Sequence, residues 1–199
     1  MDANLINGGK PGRGRPRAFD PDTALEVGQR MFHAAGYDAV GLSALTDALG
    51  IKAPSFYSAF GSKAAFFRQV LERYAGTALA LDGILVPGRP PADALAELIG
   101  SAARTYARDP ERPGCLVLEA ARGGEASESA QLACEVAEWR RVQVREFVAA
   151  THPEQAATAT DYVSAVMSGL SAGARQGWDE ARLCAVADVS AAGLAQLLP

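Results

Sequence analysis

Four basic side chains near the amino terminus form the first group whose type and spacing indicate a chemistry. Lys10, Arg13, Arg15 and Arg17 alternate with glycine and proline, in a segment without hydrophobic periodicity. Guanidinium groups on a narrow, extended backbone can enter the minor groove of DNA, where A·T tracts concentrate negative potential. The pattern predicts a disordered basic arm over residues 1–18 that contacts DNA, with a solubilising tail as the alternative.

The net charge of −4 is distributed unevenly along the 199 residues. Residues 1–19 carry +3, residues 20–75 carry −1 and residues 76–199 carry −6. The acidic total argues against a nucleic-acid partner, but a basic segment on a neutral-to-acidic body is typical of a nucleic-acid or membrane arm. Within the arm, the Arg-Gly-Arg-Pro stretch at residues 13–16 resembles the core of an AT-hook.

Composition excludes several classes of protein. Apolar residues make up 49% and charged residues 21%, which is ordinary globular usage and argues against wholesale disorder. The absence of an apolar run of about 18 residues and of a signal-peptide pattern predicts a protein without a membrane span or leader. Three scattered cysteines suit a reducing compartment, so we expect a cytoplasmic location.

Hydrophobic spacing between residues 19 and 74 predicts helices arranged as a helix-turn-helix domain. An N-cap and first-turn pair at Asp20 and Pro21 precedes apolar residues at three- and four-residue steps, which end at Gly36. Short helices follow at about residues 42–49 and 53–60, and a further helix begins after Ser62. Two short helices joined by a tight glycine turn describe a helix-turn-helix, although a three-helix packing unit without DNA would show the same pattern.

Two lysines occupy helix N termini, where a cation is unfavourable by about a few tenths of a kcal/mol. Lys63 is the first residue of the fourth predicted helix, and Lys52 is the N-cap of the third. Both positions become favourable when a phosphate binds there, because free amides and a lysine together hold an anion. The predicted DNA contacts within this domain are Ser43, Lys52, Ala53, Ser55, Tyr57, Ser58 and Lys63.

This segment resembles the N-terminal domain of tetracycline-repressor (TetR) family regulators. The shared features are Gly36-Tyr37, Gly50-Ile51 and the stretch from Phe56 to Lys63, within residues 18–74. The resemblance implies that Tyr57 and Lys63 contact phosphates and that Ser55 and its neighbours face bases. Gly28 departs from the family pattern, in which alanine is usual.

The hydrophobic pattern of residues 75–199 also predicts helices throughout, so the predicted class is all-α. We expect a three-helix helix-turn-helix DNA-binding domain at 19–74, followed by a helical ligand-binding and dimerisation domain at 75–199. The last two helices are apolar nearly all round, which predicts burial on both sides and a two-fold dimer with four helices at its interface. TetR-family resemblance implies the same mode of dimerisation. The predicted interface residues are Ala165, Ser168, Gly169, Ala172, Leu183, Val186 and Leu194.

The resemblance to TetR-family regulators implies a small-molecule site inside the C-terminal domain, and periodicity predicts its lining. Its expected lining is Tyr106, Cys115, Leu118, Trp139 and Met167. With little fixed charge in this set, we expect an apolar or aromatic effector. Cys115 follows Pro-Gly at a predicted helix N terminus, where the helix dipole lowers a thiol pKa, so it is either a reactive sensor or a structural residue.

No constellation for enzyme catalysis is readable. The two histidines, His33 and His152, have no partner at metal-ligand spacing, and no phosphate-binding loop or nucleophile–base pair is evident, so we expect no metal or cofactor. The expected function is a homodimeric repressor that a small molecule releases from operator DNA. The alternatives are a constitutive or architectural DNA-binding factor without an inducer, and a helical small-molecule carrier or enzyme.

Overall fold

A computed structural model describes residues 20–124 and 127–199. Over these residues the chain forms helices and contains no strand, which confirms the predicted all-α class. The helices are α1 (Pro21–Ala35), α2 (Leu42–Leu49), α3 (Ala53–Phe60), α4 (Lys63–Ala78), α5 (Leu81–Ile84), α6 (Pro91–Ala107), α7 (Leu116–Ala120), α8 (Glu128–Ala149), α9 (Ala156–Arg175) and α10 (Glu180–Leu197). The basic arm predicted over residues 1–18 lies outside the described residues.

Local signals account for the boundaries of α1 to α3. The Asp20 carboxylate accepts hydrogen bonds from the amides of Asp22 and Thr23 and thereby caps α1. These bonds, and one from the Thr23 hydroxyl, lower the pKa of Asp20. Between α2 and α3, Gly50 adopts φ 64°, a left-handed conformation in which its amide bonds the last carbonyls of α2. This glycine turn joins two short consecutive helices, the arrangement of a helix-turn-helix.

A cluster of phenylalanine rings holds α1, α3 and α4 together. Phe56 and Phe66 lie 5.2 Å apart between ring centroids, and Phe32 lies 4.8 Å from Phe67 in an edge-to-face arrangement. All four rings are buried. Gly28 allows this packing, because a Cβ at its position would lie 2.5 Å from Cε1 of Phe66.

The C-terminal half is a bundle centred on α6, which packs against α9 and α10, while α8 packs against α4, α7 and α9. The α4 helix runs without a break through the boundary predicted between residues 74 and 75 and ends at Ala78. Its first turns therefore belong to the helix-turn-helix half, whereas its last turn contacts the bundle. The single helix α4 therefore belongs to both halves of the chain and joins them.

The prediction that Leu183 and Leu194 lie in an intersubunit interface was wrong. Both side chains are 0% exposed, because α10 turns them into the core of its own chain. The opposite side of α10 presents Val186 and Val189 to solvent, and Val189 is 76% exposed. Helical spacing identified the apolar residues of α10 but not which of its faces the rest of the bundle covers.

Candidate DNA-binding surface and effector cavity

One side of α3 is polar and exposed to solvent, and the other side is aromatic and buried. Phe56 and Phe60 anchor the helix in the phenylalanine cluster, with ring centroids 5.2 Å apart. On the opposite side Ser55 and Ser58 are exposed, and Tyr57 is 52% exposed. Lys52, at the N-cap, is also exposed and its side chain makes no capping hydrogen bond. Small and hydrogen-bonding side chains on an exposed helix suit insertion into a major groove.

The other predicted contacts in this half surround α3. Ala53 is half-buried at the start of α3, and Ser43 is exposed on α2, where its hydroxyl donates a 3.4 Å hydrogen bond to Asp47. Lys63 begins α4, next to the Ser62 side chain that accepts a hydrogen bond from the Ala65 amide. Arg13, Arg15 and Arg17 lie outside the described residues. The contacts of all these residues with DNA stay a prediction.

Lys63 is held in place by an aromatic ring that the sequence did not identify. Its Nζ lies 4.0 Å from the ring centroid of Tyr37, a cation–π contact that positions the ammonium group at the N terminus of α4. The Tyr37 hydroxyl in turn donates a 2.9 Å hydrogen bond to Glu128, the first residue of α8. Burial, with the carboxylate beside it, raises the pKa of Tyr37 to about 12. The phenol therefore stays protonated and remains a donor to Glu128.

Further contacts join the two halves of the chain. Arg68 of α4 forms a 2.6 Å ion pair with Glu135 of α8. His33 of α1 packs edge-on against Tyr74 of α4, with ring centroids 5.6 Å apart. Burial lowers the pKa of His33, and the nearby Arg112 and Arg175 add to this effect. The Arg68–Glu135 pair therefore joins α4 to the bundle, and the charges of Arg112 and Arg175 place His33 beside the C-terminal half.

A cavity of about 270 Å³ lies in the bundle, bordered by residues of α4, α6, α7, α8 and α9. Four of the five predicted lining residues border it, namely Tyr106, Cys115, Leu118 and Met167. The prediction for Trp139 was wrong, because its side chain is 54% exposed on the outer side of α8. Ser168, predicted at the dimer interface, also borders the cavity, and its place in an interface stays a prediction.

The structure adds polar lining residues that periodicity missed. Tyr74, Arg140 and Arg141 all border the cavity, so the expectation of little fixed charge was wrong. A signal for Arg140 was present in the sequence, since it lies four residues from both Val136 and Val144, which are buried on the inner face of α8. A charged residue on an apolar stripe indicates a buried partner or a ligand.

Cys115 is buried at the N-cap of α7, and its amide donates a 2.9 Å hydrogen bond to Ser171 Oγ. Burial raises the pKa of its thiol, and this effect outweighs the hydrogen bonds from the first amides of α7. Burial therefore favours the structural alternative for Cys115 over the reactive one in the unliganded protein. The thiol is neutral at physiological pH, close to the phenols of Tyr74 and Tyr106.

In residues 20–124 and 127–199, no three His, Cys, Asp or Glu side chains come together as a metal site. No helix in this described part of the chain is long and apolar enough to cross a membrane.

Residues 24–70 match the family described as bacterial regulatory proteins, tetR family. Over 186 residues the chain is 39% identical to the HTH-type transcriptional repressor BdcR of Escherichia coli strain K12, covering 93% of this chain and 94% of that protein. A second repressor of that strain, ComR, is 46% identical over 65 residues, which are 33% of this chain and 31% of ComR.

Solved structures share the fold along most of the chain. A cysteine mutant of the TetR family transcriptional regulator CifR, complexed with 26-bp operator DNA, has a TM-score of 0.75 and 33% identity, covering 89% of this chain and 98% of CifR. The reduced form of E. coli NemR has a TM-score of 0.69 at 18% identity, covering 90% of this chain and 96% of NemR. These similarities confirm the resemblance drawn from the Phe56–Lys63 stretch, and the chain belongs to the TetR family of bacterial transcriptional regulators.

Proposed function

We propose that this chain acts in the cytoplasm as a homodimeric repressor that a small molecule releases from operator DNA. The main support for this proposal is the exposed polar side of α3. Buried Phe56 and Phe60 anchor the opposite side of this helix, and Lys63 lies just after it. Supporting it, the full-length relative BdcR is named a repressor, and CifR has been crystallised on operator DNA. A dimer would present two α3 helices about 34 Å apart, the spacing of successive major grooves.

Pairing of α9 and α10 with a second copy is the dimer mode that we propose. Val186 and Val189 on α10 form an exposed apolar strip, and Ala165 and Gly169 on α9 are also exposed. Ala172 and Ser168, the other small residues predicted there, are half-buried. Small side chains allow close approach of helices across a two-fold axis, and association would remove the valines from water.

The cavity favours an inducible repressor over a constitutive or architectural DNA-binding factor, because a factor without a ligand has no use for it. Tyr74 and Ala75, near the end of α4, border the cavity, while Lys63 begins the same helix. The 16 residues of α4 span about 24 Å, so a displacement at one end of this helix can reach the other end. A ligand that moves the end of α4 would thereby change the separation of the two α3 helices.

Fluorescence anisotropy with a labelled palindromic fragment from the protein's own promoter tests the proposal. We expect specific binding by a dimer, and loss of that binding when Ser55 and Tyr57 are both replaced by alanine. A Val86→Ala variant, at an exposed residue outside the helices, serves as the matched control. Equal affinity for the promoter fragment and for scrambled DNA would contradict the proposal and favour an architectural DNA-binding factor, whereas absence of DNA binding would favour a carrier or enzyme.

A further inference from the structure

The effector cavity contains a buried hydroxyl group that the fold leaves without an oxygen or nitrogen partner. Tyr106 is 1% exposed, and its hydroxyl reaches no oxygen or nitrogen acceptor of the described residues, since the polar group beside it is the weakly hydrogen-bonding thiol of Cys115. Its side chain borders the cavity from α6. A buried donor without an acceptor destabilises the folded protein, so such a group indicates either strain or a missing ligand.

Arg140 borders the same cavity from α8, and its charge has no close counterion among the described residues. Its guanidinium donates a hydrogen bond to the carbonyl of Leu79, and no carboxylate of the described residues lies within 4.0 Å of it. The neighbouring Arg141 differs, because Glu138 at 3.2 Å and Asp161 at 2.6 Å neutralise its charge. Arg140 is therefore the cavity's uncompensated cation within the described part of the chain.

Arg140 and Tyr106 border the same cavity from different helices, so one ligand in that cavity can contact both. The charge of Arg140 also stabilises the ionised forms of Tyr106 and Cys115. Asp82, the acidic residue that interacts with Arg140, is exposed to solvent. Burial nevertheless lowers the pKa of Arg140, as expected for a cation without a close counterion.

Most of the remaining wall is apolar and includes Leu81, Leu98, Val117, Val163 and Met167. The hydroxyl residues Thr160, Ser164 and Ser168 also border the cavity, and the Thr160 and Ser164 hydroxyls donate to backbone carbonyls of α9. The Cys115 thiol is neutral, since burial raises its pKa, and so it does not repel an anion. The cavity thus combines the cation of Arg140, which no carboxylate pairs closely, and the hydroxyl donor of Tyr106 with mostly hydrophobic walls.

We propose that the effector is a small organic acid with an apolar body, whose carboxylate accepts hydrogen bonds from Arg140 and Tyr106. A guanidinium binds a carboxylate through two parallel N–H donors, and the phenol supplies a third. The inference rests on the proposed function in taking this cavity as the effector site. It assigns the chemical class of the ligand, which neither the fold nor the relatives specify.

Isothermal titration calorimetry on the full chain without DNA tests this assignment. The probes are benzoate, 3-phenylpropionate and octanoate, each paired with its primary amide, which has the same carbon skeleton but no charge. We expect at least one acid to bind about tenfold more tightly than its amide, because hydrogen bonds to charged groups are stronger than neutral ones. Arg140→Gln should abolish this preference, and Tyr106→Phe should weaken the acid about three- to tenfold.

Arg145→Gln is the matched control, because Arg145 is an exposed arginine of the same helix and its loss changes the net charge equally. Thermal melting of each variant verifies folding, and Tyr106→Phe tests the inference independently if Arg140→Gln unfolds the chain. Amides that bind as tightly as the acids, or an acid preference that survives Arg140→Gln, would overturn the inference. Absence of acid binding up to about 1 mM would overturn it as well.

Promoter binding without ligand, measured in parallel, separates the two proposals. Specific DNA binding combined with no acid binding would refute the ligand class alone. Acid binding through Arg140 by a chain that does not bind its promoter would refute the proposed function alone.

Discussion

The hydroxyl of Tyr37 donates a 2.9 Å hydrogen bond to Oε2 of Glu128 and so ties the loop after α1 to the first residue of α8. The face of the same ring lies under the Lys63 ammonium group. One side chain therefore contacts both the bundle and the proposed phosphate-binding lysine. This arrangement supplies a direct route by which movement of α8 would reach the DNA-binding surface.

Removing the Tyr37 hydroxyl should weaken this connection while the ring stays beneath Lys63. For Tyr37→Phe we expect a loss of about 0.5–1.5 kcal/mol in the free energy of unfolding, measured by urea denaturation. Operator affinity without ligand should change little, whereas the ligand-induced loss of affinity should become smaller. Glu128→Gln, which keeps an acceptor, should have a milder effect, and an unaltered ligand response in Tyr37→Phe would contradict the route.

Replacing Lys63 with alanine should weaken binding to all DNA sequences alike, because a phosphate contact carries no base information. The slope of log affinity against log salt should fall by about one per lysine, hence about two for a dimer. Titrations of operator and scrambled DNA at several salt concentrations measure both quantities. A changed base preference would show that Lys63 reads bases.

Deleting residues 1–18 should weaken operator binding and flatten its salt dependence, since this segment holds four basic side chains against one acidic one. A full-length variant with Lys10, Arg13, Arg15 and Arg17 replaced by glutamine separates the loss of charge from the loss of chain length. If the deletion leaves the salt slope unchanged, the segment is a solubilising tail.

Alanine at position 28 should destabilise the N-terminal domain, although alanine favours a helix over glycine by about 1 kcal/mol. Its Cβ would lie 2.5 Å from a ring carbon of Phe66, and overpacking of this kind costs about 1–3 kcal/mol. Gly76→Ala is the matched control, because no atom lies within 4 Å of a Cβ there. We expect urea midpoints to move down for Gly28→Ala and up for Gly76→Ala.

The free energy of unfolding should decrease as the pH falls below about 6.5, the ordinary pKa of histidine. Burial lowers the pKa of His33 in the folded chain, so the unfolded chain binds the proton first and acid favours unfolding. His33→Gln should therefore flatten the pH dependence of stability in this range, whereas His152→Gln should retain it. Denaturation curves of both variants between about pH 5 and 7.5 test this prediction, and an equal pH dependence in the two would contradict it.

The helix-turn-helix half was predictable from sequence because its signals are local. Asp20 caps α1, Gly50 takes the left-handed conformation between α2 and α3, and the aromatic residues of the Phe56–Lys63 stretch occupy fixed positions. Each depends on residues within a few positions along the chain. Lys63 was identified in the same way, but its contact with Tyr37, 26 positions earlier, was not.

By itself, the sequence determined the helices, their apolar faces, the concentration of basic charge in residues 1–19 and the membership of a family. Only the tertiary structure decided what covers each face. It buried Leu183 and Leu194, exposed Trp139, and brought Arg140 and Tyr106 to one cavity from different helices. Helical periodicity states which residues share a side of a helix, but the neighbour that packs there depends on how distant helices assemble.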